Sequence, residues 1–464
     1  MLTRSHEPVR VLVRADASPQ IGIGHVMRCL SLADELAERG ALVTFATRSP
    51  DALIERVQAC GHRVVRLGEH DERREANPSL VWDETDQLAD AVSSMTLLEK
   101  EPDVVVVDHY GLSAPWESYF AGRSRVIAID DLANRPHDVD VLTDQNWYGP
   151  GSTERYQQLV RRGTVQLLGP RYAVLQRPYR RVVREQSAAA PPARIVVSFG
   201  GTDPGDEAVK ALEAINDPAF ESLRVDVVVG SAARVTKRLQ ALVDGRAQTH
   251  LHVAVPSLAP LLASADLALG ASGAATWERM ATGVPAIVTT VAPHQSGVTA
   301  ALHDEGVTRW LGTIDETEPA TYRGALLDAL AGPVGWAPRI VDGFGAGRIA
   351  ESLIPSPDTD LTIRRLKPAD AGAVIGLEAE AGGQTESSGG LLDGPAAWRA
   401  GEQSFDRLLA SIPSAGLIEA SGIPVAMTTT NGDAVWIQRC VSDDRRISAI
   451  RSLAMSWPTL RAIE

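Results

Sequence analysis

The sequence predicts an α/β protein of two domains, each a parallel sheet covered by helices, with a small α/β segment appended. Three observations lead there. Apolar, β-branched runs alternate with helical patterns from the N-terminus to about residue 182. The alternation restarts at Arg194, after Glu185-Gln-Ser-Ala-Ala-Ala-Pro-Pro192, a small-residue, proline-containing stretch that reads as a linker. Beyond a second linker candidate, Ser356-Pro-Asp-Thr-Asp360, strand signals are joined by Ser421-Gly422 and Asn431-Gly432, the latter a hairpin signal. The expected domains are residues 1–182, 193–354 and 361–464.

In the first domain, Val9–Val13 reads as a buried strand. Met27, Leu30, Leu32, Ala33, Leu36 and Ala37 then mark one face of a helix. Gly22 and Gly24 stand at the joint, where side chains would keep a ligand away from the backbone. The helix start offers free N–H groups and a partial positive charge, a seat for phosphate or a developing anion. His25 falls at the first helical turn, where that charge favours the neutral imidazole and hence a base. The same spacing also suits a tight turn with a capping histidine.

Further strands are expected at Leu42–Ala46, Arg63–Leu67, Asp103–Val107 and Val126–Ile129. Ligands bind outside the carboxyl ends of parallel strands, which sets Asp108, His109 and Tyr110 on the rim that carries His25. Asp130 and Asp131 fit either a cap or a site, and His109 also fits a packed histidine with one backbone hydrogen bond.

The second domain opens with the strand Arg194–Ser198, which ends in Phe199-Gly-Gly-Thr-Asp-Pro204. Gly200 and Gly201 allow close backbone approach, and Thr202 or Asp203 can equally cap the turn. The strands Val225–Val229 and Leu267–Leu269 follow, the latter leading into Gly270-Ala-Ser-Gly-Ala-Ala-Thr-Trp-Glu278. Small residues let this helix start approach a diphosphate, with backbone donors at Ser272, Gly273 and Ala274 and hydroxyls on Ser272 and Thr276. Glu278 lies too far along to face phosphate; a carboxylate there suits ribose hydroxyls or simply complements the helix dipole.

Composition narrows the classes. The 464 residues are 44% hydrophobic and 22% charged, ordinary for a globular protein with real cores. A net charge of −14 opposes nonspecific nucleic-acid binding, which needs clustered Lys and Arg, but not a ligand held by a few local donors. Cys29, Cys60 and Cys440 form no CxxC pair, so neither a zinc site nor a disulfide framework is suggested. The first eight residues lack the apolar core of a signal peptide, and no run of about 18 apolar residues suggests a membrane span. A reducing cytoplasm is the expected compartment, with no cofactor and no metal.

In order and spacing, these blocks resemble the PseG/SpsG family, UDP-sugar hydrolases of pseudaminic acid biosynthesis related to glycosyltransferases of the GT-B fold. Asp16-Ala-Ser-Pro-Gln-Ile-Gly-Ile-Gly-His-Val-Met-Arg-Cys-Leu30 looks like its opening signature. Asp108-His-Tyr-Gly-Leu112, Ile129-Asp-Asp-Leu-Ala133, Asp144-Gln-Asn146, Leu168–Leu175, the Thr-Trp-Glu278 loop with Gly283-Val-Pro285, and Val341–Ala350 with a final helix match later blocks. The resemblance covers about the first 355 residues.

It implies a GT-B arrangement, two Rossmann-like domains facing across a cleft. UDP would lie on the second, with Glu278 on ribose and backbone donors near Gly200, Gly201, Ser272, Gly273 and Ala274 on the diphosphate. His25 would deprotonate a water attacking the anomeric carbon of a 2,4-diacetamido-2,4,6-trideoxy sugar. Arg14 and Asp16 would shape the loop or contact the sugar, Arg28 belongs to the same signature, and Tyr110 would face the sugar. Gln295 would bond the distal sugar or phosphate. His294 stands where the family usually has Asn, which leaves the sugar open. A glycosyltransferase using the same two domains, and a noncatalytic nucleotide-sugar binding protein, are the alternatives.

The last segment resembles the front part of a GNAT acetyltransferase: Leu361–Asp370, then a helix from Ala371, then strands at Gly416–Ala420, Ile423–Met427 and Ala434–Ile437. Asp444–Ile450 stands where such enzymes carry a glycine-rich pyrophosphate loop and has no glycine, so a degenerate module with a structural or interaction role is expected rather than a second, acetyl-transferring activity. Gly382–Gly390 reads as a loop, and a homodimer through this incomplete segment is a further expectation.

Overall fold

A computed structural model describes residues 7–18, 21–68, 80–180, 191–230, 235–332 and 340–355, the strand segments 361–365, 416–420, 423–428 and 435–437, and a few isolated positions. The first sheet has seven strands: β1 (Arg10–Ala15), β2 (Leu42–Thr47), β3 (Arg63–Arg66), β4 (Val104–Asp108), β5 (Arg125–Ile129), β6 (Val141–Asp144) and β7 (Val165–Leu168). Their order is β3-β2-β1-β4-β5-β6-β7, and each neighbouring pair is parallel. Between them run α1 (Gly24–Glu38), α2 (Asp51–Ala59), α3 (Glu84–Thr96) and α4 (Ala114–Ser118). All five residues of β4 are buried, as a central strand covered on both faces requires.

The second sheet joins β8 (Arg194–Ser198), β9 (Arg224–Val229), β10 (Thr249–Val253), β11 (Leu267–Ala271), β12 (Ala286–Thr290) and β13 (Arg309–Thr313). It too is parallel, in the order β10-β9-β8-β11-β12-β13. Its helices are α5 (Glu207–Ile215), α6 (Lys237–Asp244), α7 (Ala259–Ala263), α8 (Ala274–Thr282), α9 (Ser296–Asp304) and α10 (Pro319–Ala331). Both sheets are thus doubly wound and Rossmann-like, and each reverses direction once: between β1 and β4, and between β8 and β11. At such a switch point the loops splay to opposite sides and leave a crevice. The two glycine-bearing blocks of the sequence, after β1 and after β11, sit at these two crevices.

The rims face one another. Tyr110 of the first domain packs edge-on against His294 of the second, with ring centroids 5.7 Å apart. A Cβ added to Gly201 would lie 3.2 Å from Ile23 Cδ1, and one added to Gly297 would lie 3.6 Å from the Tyr148 ring.

The segment expected to end at 354 closes with the last helix of this body, α11 (Gly345–Leu353). It follows the second domain in sequence but packs on the first, where Ile349, Ala350 and Leu353 share a core with Val26, Leu32 and Leu36 of α1. Arg39, just past α1, donates to the Gly347 carbonyl and to Glu351, both at 3.3 Å. The contact needs Gly345, because a Cβ there would stand 2.2 Å from the Ala173 carbonyl oxygen. Gly345→Ala is expected to lower stability by ~1–3 kcal/mol, since overpacking against backbone is relieved only by moving the helix; urea unfolding measures it.

The last four described strands, β14 (Leu361–Arg365), β15 (Gly416–Ala420), β16 (Ile423–Thr428) and β17 (Val435–Ile437), form an antiparallel sheet in that order. Their positions follow the hairpin and alternation signals. The sheet is built into the body: Ile418, Ile423 and Ala426 join the first domain's core, while Leu417 and Met427 join the cluster of Trp147, Tyr179 and Trp277. Residues 185–190 of the first expected linker, Ser356–Asp360, the Gly382–Gly390 loop and the Asp444–Ile450 stretch lie outside the described residues, as does most of the helix expected from Ala371. Among the described residues no helix is long and apolar enough to cross a membrane.

Candidate active site

His25 is the second residue of α1 and is 8% exposed. Gly22 makes its position possible: φ there is +78°, open to glycine, and its N–H closes a turn on the Ser18 carbonyl at 2.8 Å. Gly24 has open space where a Cβ would stand, so the protein itself does not require its bareness. No side chain caps the start of α1.

The imidazole is fixed from below. His25 Nδ1 lies 2.5 Å from Asp108 Oδ1, at the carboxyl end of β4. One turn along α1, Arg28 grips the same carboxylate with Nε at 2.5 Å and Nη2 at 2.7 Å, and reaches Asp131 with Nη1 at 3.0 Å. Burial alone would raise the Asp108 pKa, but Arg28 and His25 beside it hold the carboxyl well below the usual range. An ionised carboxylate only accepts, so Nδ1 carries the proton and the lone pair of the neutral ring sits on Nε2.

Tyr110 stacks edge-on to His25, centroids 4.6 Å apart. Its hydroxyl donates to Asp131 at 2.8 Å, while its ring lies against His294 of the second domain. Asp131 also accepts from Asn146 at 2.9 Å and is a member of the site, whereas Asp130 is a turn residue, accepting from the Ala133 N–H and paired with Arg135. Asp144 lies behind it, pushed up to about 8 by burial and by the Asp131 carboxylate.

Arg14 and Asp16 shape the loop and do not reach the cleft. Arg14 is wholly buried, with its guanidinium shared between Asp16 and Asp90. Asp16 is 4% exposed and accepts as well from the Arg48 N–H at 2.7 Å. His109 Nε2 lies 3.3 Å from Asp16 while its Nδ1 accepts from the Gly111 N–H, the packed-histidine alternative.

On the second domain the two helix starts differ. Asp203, held at φ +45°, accepts from the N–H groups of Glu207 at 2.9 Å and Ala208 at 3.1 Å, so the start of α5 is filled by the chain's own carboxylate. Gly201 faces Ile23, and Gly230 crowds its backbone. Gly201 thus lies on the face turned to the first domain, while Gly200, at φ +89°, has open space where a Cβ would stand. At α8 no side chain caps the start. Its N-cap Gly273 has φ +91° and ψ −148°, a region essentially reserved for glycine. Ser272 Oγ donates to Gln295 Oε1 at 3.1 Å, and a Cβ on Gly273 would meet Gln295 Nε2 at 2.7 Å. Ser272, Gly273, Ala274 and Gln295 thus come together. Thr276 is buried, its Oγ1 accepting from Arg279 at 3.3 Å.

Glu278 is half-buried beside Tyr179 and lines a small recess with Ser198 and Leu258. Burial pushes its carboxyl up to about 7. Gly273→Ala should lower stability by ~1–3 kcal/mol, since an L-residue is strained by about that much in this backbone region; urea unfolding checks it. Among the described residues no group of three or more His, Cys, Asp or Glu is arranged to hold a metal.

Sequence reasoning left Asp108 on the rim without a role and did not pair Arg28 with it. The available signal was its place as the last residue of the central all-valine strand.

No family model matches the chain. A protein of Methanocaldococcus jannaschii is 22% identical over 291 residues, 60% of this chain and 55% of that protein, so the chain spans about half of that relative's length. The spore coat polysaccharide biosynthesis protein SpsG of Bacillus subtilis is 20% identical over 308 residues, 66% of this chain and 84% of that one. A UDP-2,4-diacetamido-2,4,6-trideoxy-beta-L-altropyranose hydrolase of Campylobacter jejuni is 24% identical over 198 residues, 42% and 61% of the two chains. Among solved structures, the calicheamicin glycosyltransferase CalG4 aligns over 75% of this chain and 94% of its own with a TM-score of 0.47 and 18% identity. MurG of Acinetobacter baumannii aligns over 73% and 94% with a TM-score of 0.45 and 15% identity.

Proposed function

We propose that the protein hydrolyses the bond between sugar and diphosphate in a UDP-linked 2,4-diacetamido-2,4,6-trideoxy sugar, working as a GT-B-type enzyme without an acceptor. One observation carries this: a buried His25–Asp108 pair at the switch point of one sheet is linked, through Tyr110 and His294, to the Gln295–Ser272 corner at the uncapped start of α8 at the switch point of the other. The likeness in sequence to the Campylobacter jejuni hydrolase and to SpsG supports the sugar class.

The diphosphate sits on the N–H groups at Gly273 and Ala274, with Ser272 and Gln295 beside it, and Glu278 takes the ribose. A water held at His25 Nε2 gives up a proton as its oxygen attacks the anomeric carbon, and UDP departs. A positioned base supplies about 10²–10⁴ in rate. Preorganised donors at the leaving diphosphate add a factor of about 10²–10³.

Proton NMR of the protein with the UDP-linked 2,4,6-trideoxy-altrose derivative, and no acceptor, tests the proposal. Release of UDP and free sugar is expected, with the first-formed anomer inverted. If UDP binds but is released only when an acceptor alcohol is added, His25 deprotonates that alcohol and the protein is a transferase.

A further inference from the structure

His294 belongs to the second domain, in the single turn Pro293–Gln295 that precedes α9. Its neighbour Gln295 lies over Gly273 and accepts from Ser272, at the proposed diphosphate seat. His294 itself packs on the Tyr110 ring, centroids 5.7 Å apart at 70°. Tyr110 in turn meets His25 at 4.6 Å and 83°. Two imidazoles therefore flank one phenol ring, His25 on the side of the first domain and His294 on the side of the diphosphate. The turn Pro293–Gln295 thus touches both ends of the proposed site: the diphosphate seat through Gln295, and the ring packed on His25 through His294.

We propose that His294 is the catalytic acid of this site, handing a proton to the diphosphate oxygen as the sugar–oxygen bond breaks. The inference rests on the hydrolase reading above. In the step, the water oxygen bonds to the anomeric carbon and its proton goes to His25 Nε2. The carbon–oxygen bond to phosphate breaks, and that oxygen keeps the electron pair and takes the His294 proton. Solvent then reprotonates His294 and deprotonates His25, so the cycle closes without another reactant.

The groups facing His294 set its pH response. They are His25 and Arg28 from α1, Tyr110 after β4 and Asp131 after β5. Burial lowers its pKa, and the charges of His25 and Arg28 lower it further, against an opposing pull from Asp131. Acid help from His294 is then fully present at low pH and fades as pH rises through that lowered value. An amide at this position donates a hydrogen bond but transfers no proton, so His294→Asn separates the two roles.

The test compares full-length wild type and His294→Asn across a pH series, by initial rate of UDP release, with UDP affinity measured by titration calorimetry. The ratio of the two kcat values should be largest, about 10–100, at the acid end of the series and fall toward one as pH rises through the lowered His294 value, because the proton-transfer contribution vanishes with the proton. UDP affinity should be unchanged, and His294→Gln should behave like His294→Asn. A ratio constant with pH, or an effect confined to KM, overturns the acid role while leaving hydrolysis standing. If the wild type releases no UDP from any UDP-linked sugar, hydrolysis and the acid role fall together.

Discussion

Replacing His25 by asparagine should reduce kcat by about 10²–10⁴-fold, the usual contribution of a positioned base. UDP affinity should stay within a factor of two or so of wild type, because a diphosphate bound at α8 touches none of the atoms changed. The amide introduced by His25→Asn falls short of the ring's reach, and its carbonyl is a far weaker base than Nε2. Stopped assays of UDP release together with calorimetry separate the two quantities. An unchanged kcat would remove His25 from the chemistry, and a parallel loss of UDP binding would mean that the imidazole holds the nucleotide instead. Stability is a weaker reporter. The residue is buried, but Arg28 keeps the Asp108 carboxylate paired by two hydrogen bonds when the imidazole is gone.

Much of this site is legible in the sequence because its makers are local. A strand, a glycine-bearing turn and a helix start lie within about twenty residues, and hydrophobic period marks both flanks. The same holds at Gly270–Glu278. Pairings across the sheet are not written locally. Asp108 is 83 residues from His25, and only the β1–β4 register, which sets Ala15 opposite Asp108, brings them together. Arg14 shows the converse: its place beside the signature suggests a ligand, but Asp90, 76 residues away, claims its guanidinium. The two helix starts of the second domain cannot be ranked locally for a related reason. Two glycines at a strand end look equally open at both helix starts, and what distinguishes them is a single carboxylate, Asp203, folded back onto α5. Strands β6 and β7 escape the pattern because Thr143, Asp144 and Gln166 interrupt short apolar runs. The return of α11 to the first domain cannot be seen at all from chain order, since it depends on the fit of Gly345 against Ala173.

Asp108→Asn should cost nearly as much activity as loss of the histidine, about 10³–10⁴-fold in kcat, by a different route. The carboxylate accepts from Nδ1, from Arg28 Nε and from Arg28 Nη2 at once. An amide keeps one acceptor oxygen, and Arg28, which only donates, claims it. The amide N–H₂ is then turned to His25 and donates to Nδ1. That reverses the tautomer, places the ring proton on Nε2 and removes the lone pair that takes the proton from water; an Asp→Asn change behind a catalytic histidine acts this way elsewhere. Activity of the asparagine variant should therefore not recover on raising the pH, whereas a base merely shifted in pKa would recover. Asp108→Ala makes a sharper contrast in stability. It leaves the buried Arg28 with Asp131 alone, and breaking one side of a buried ion pair costs ~3–5 kcal/mol. The expected pattern is a folded, inactive Asp108→Asn enzyme with near-normal UDP affinity, and a markedly less stable Asp108→Ala chain by urea unfolding. If Asp108→Asn retained wild-type kcat, the carboxylate would be a structural counter-ion for Arg28 and His25 would set its own tautomer.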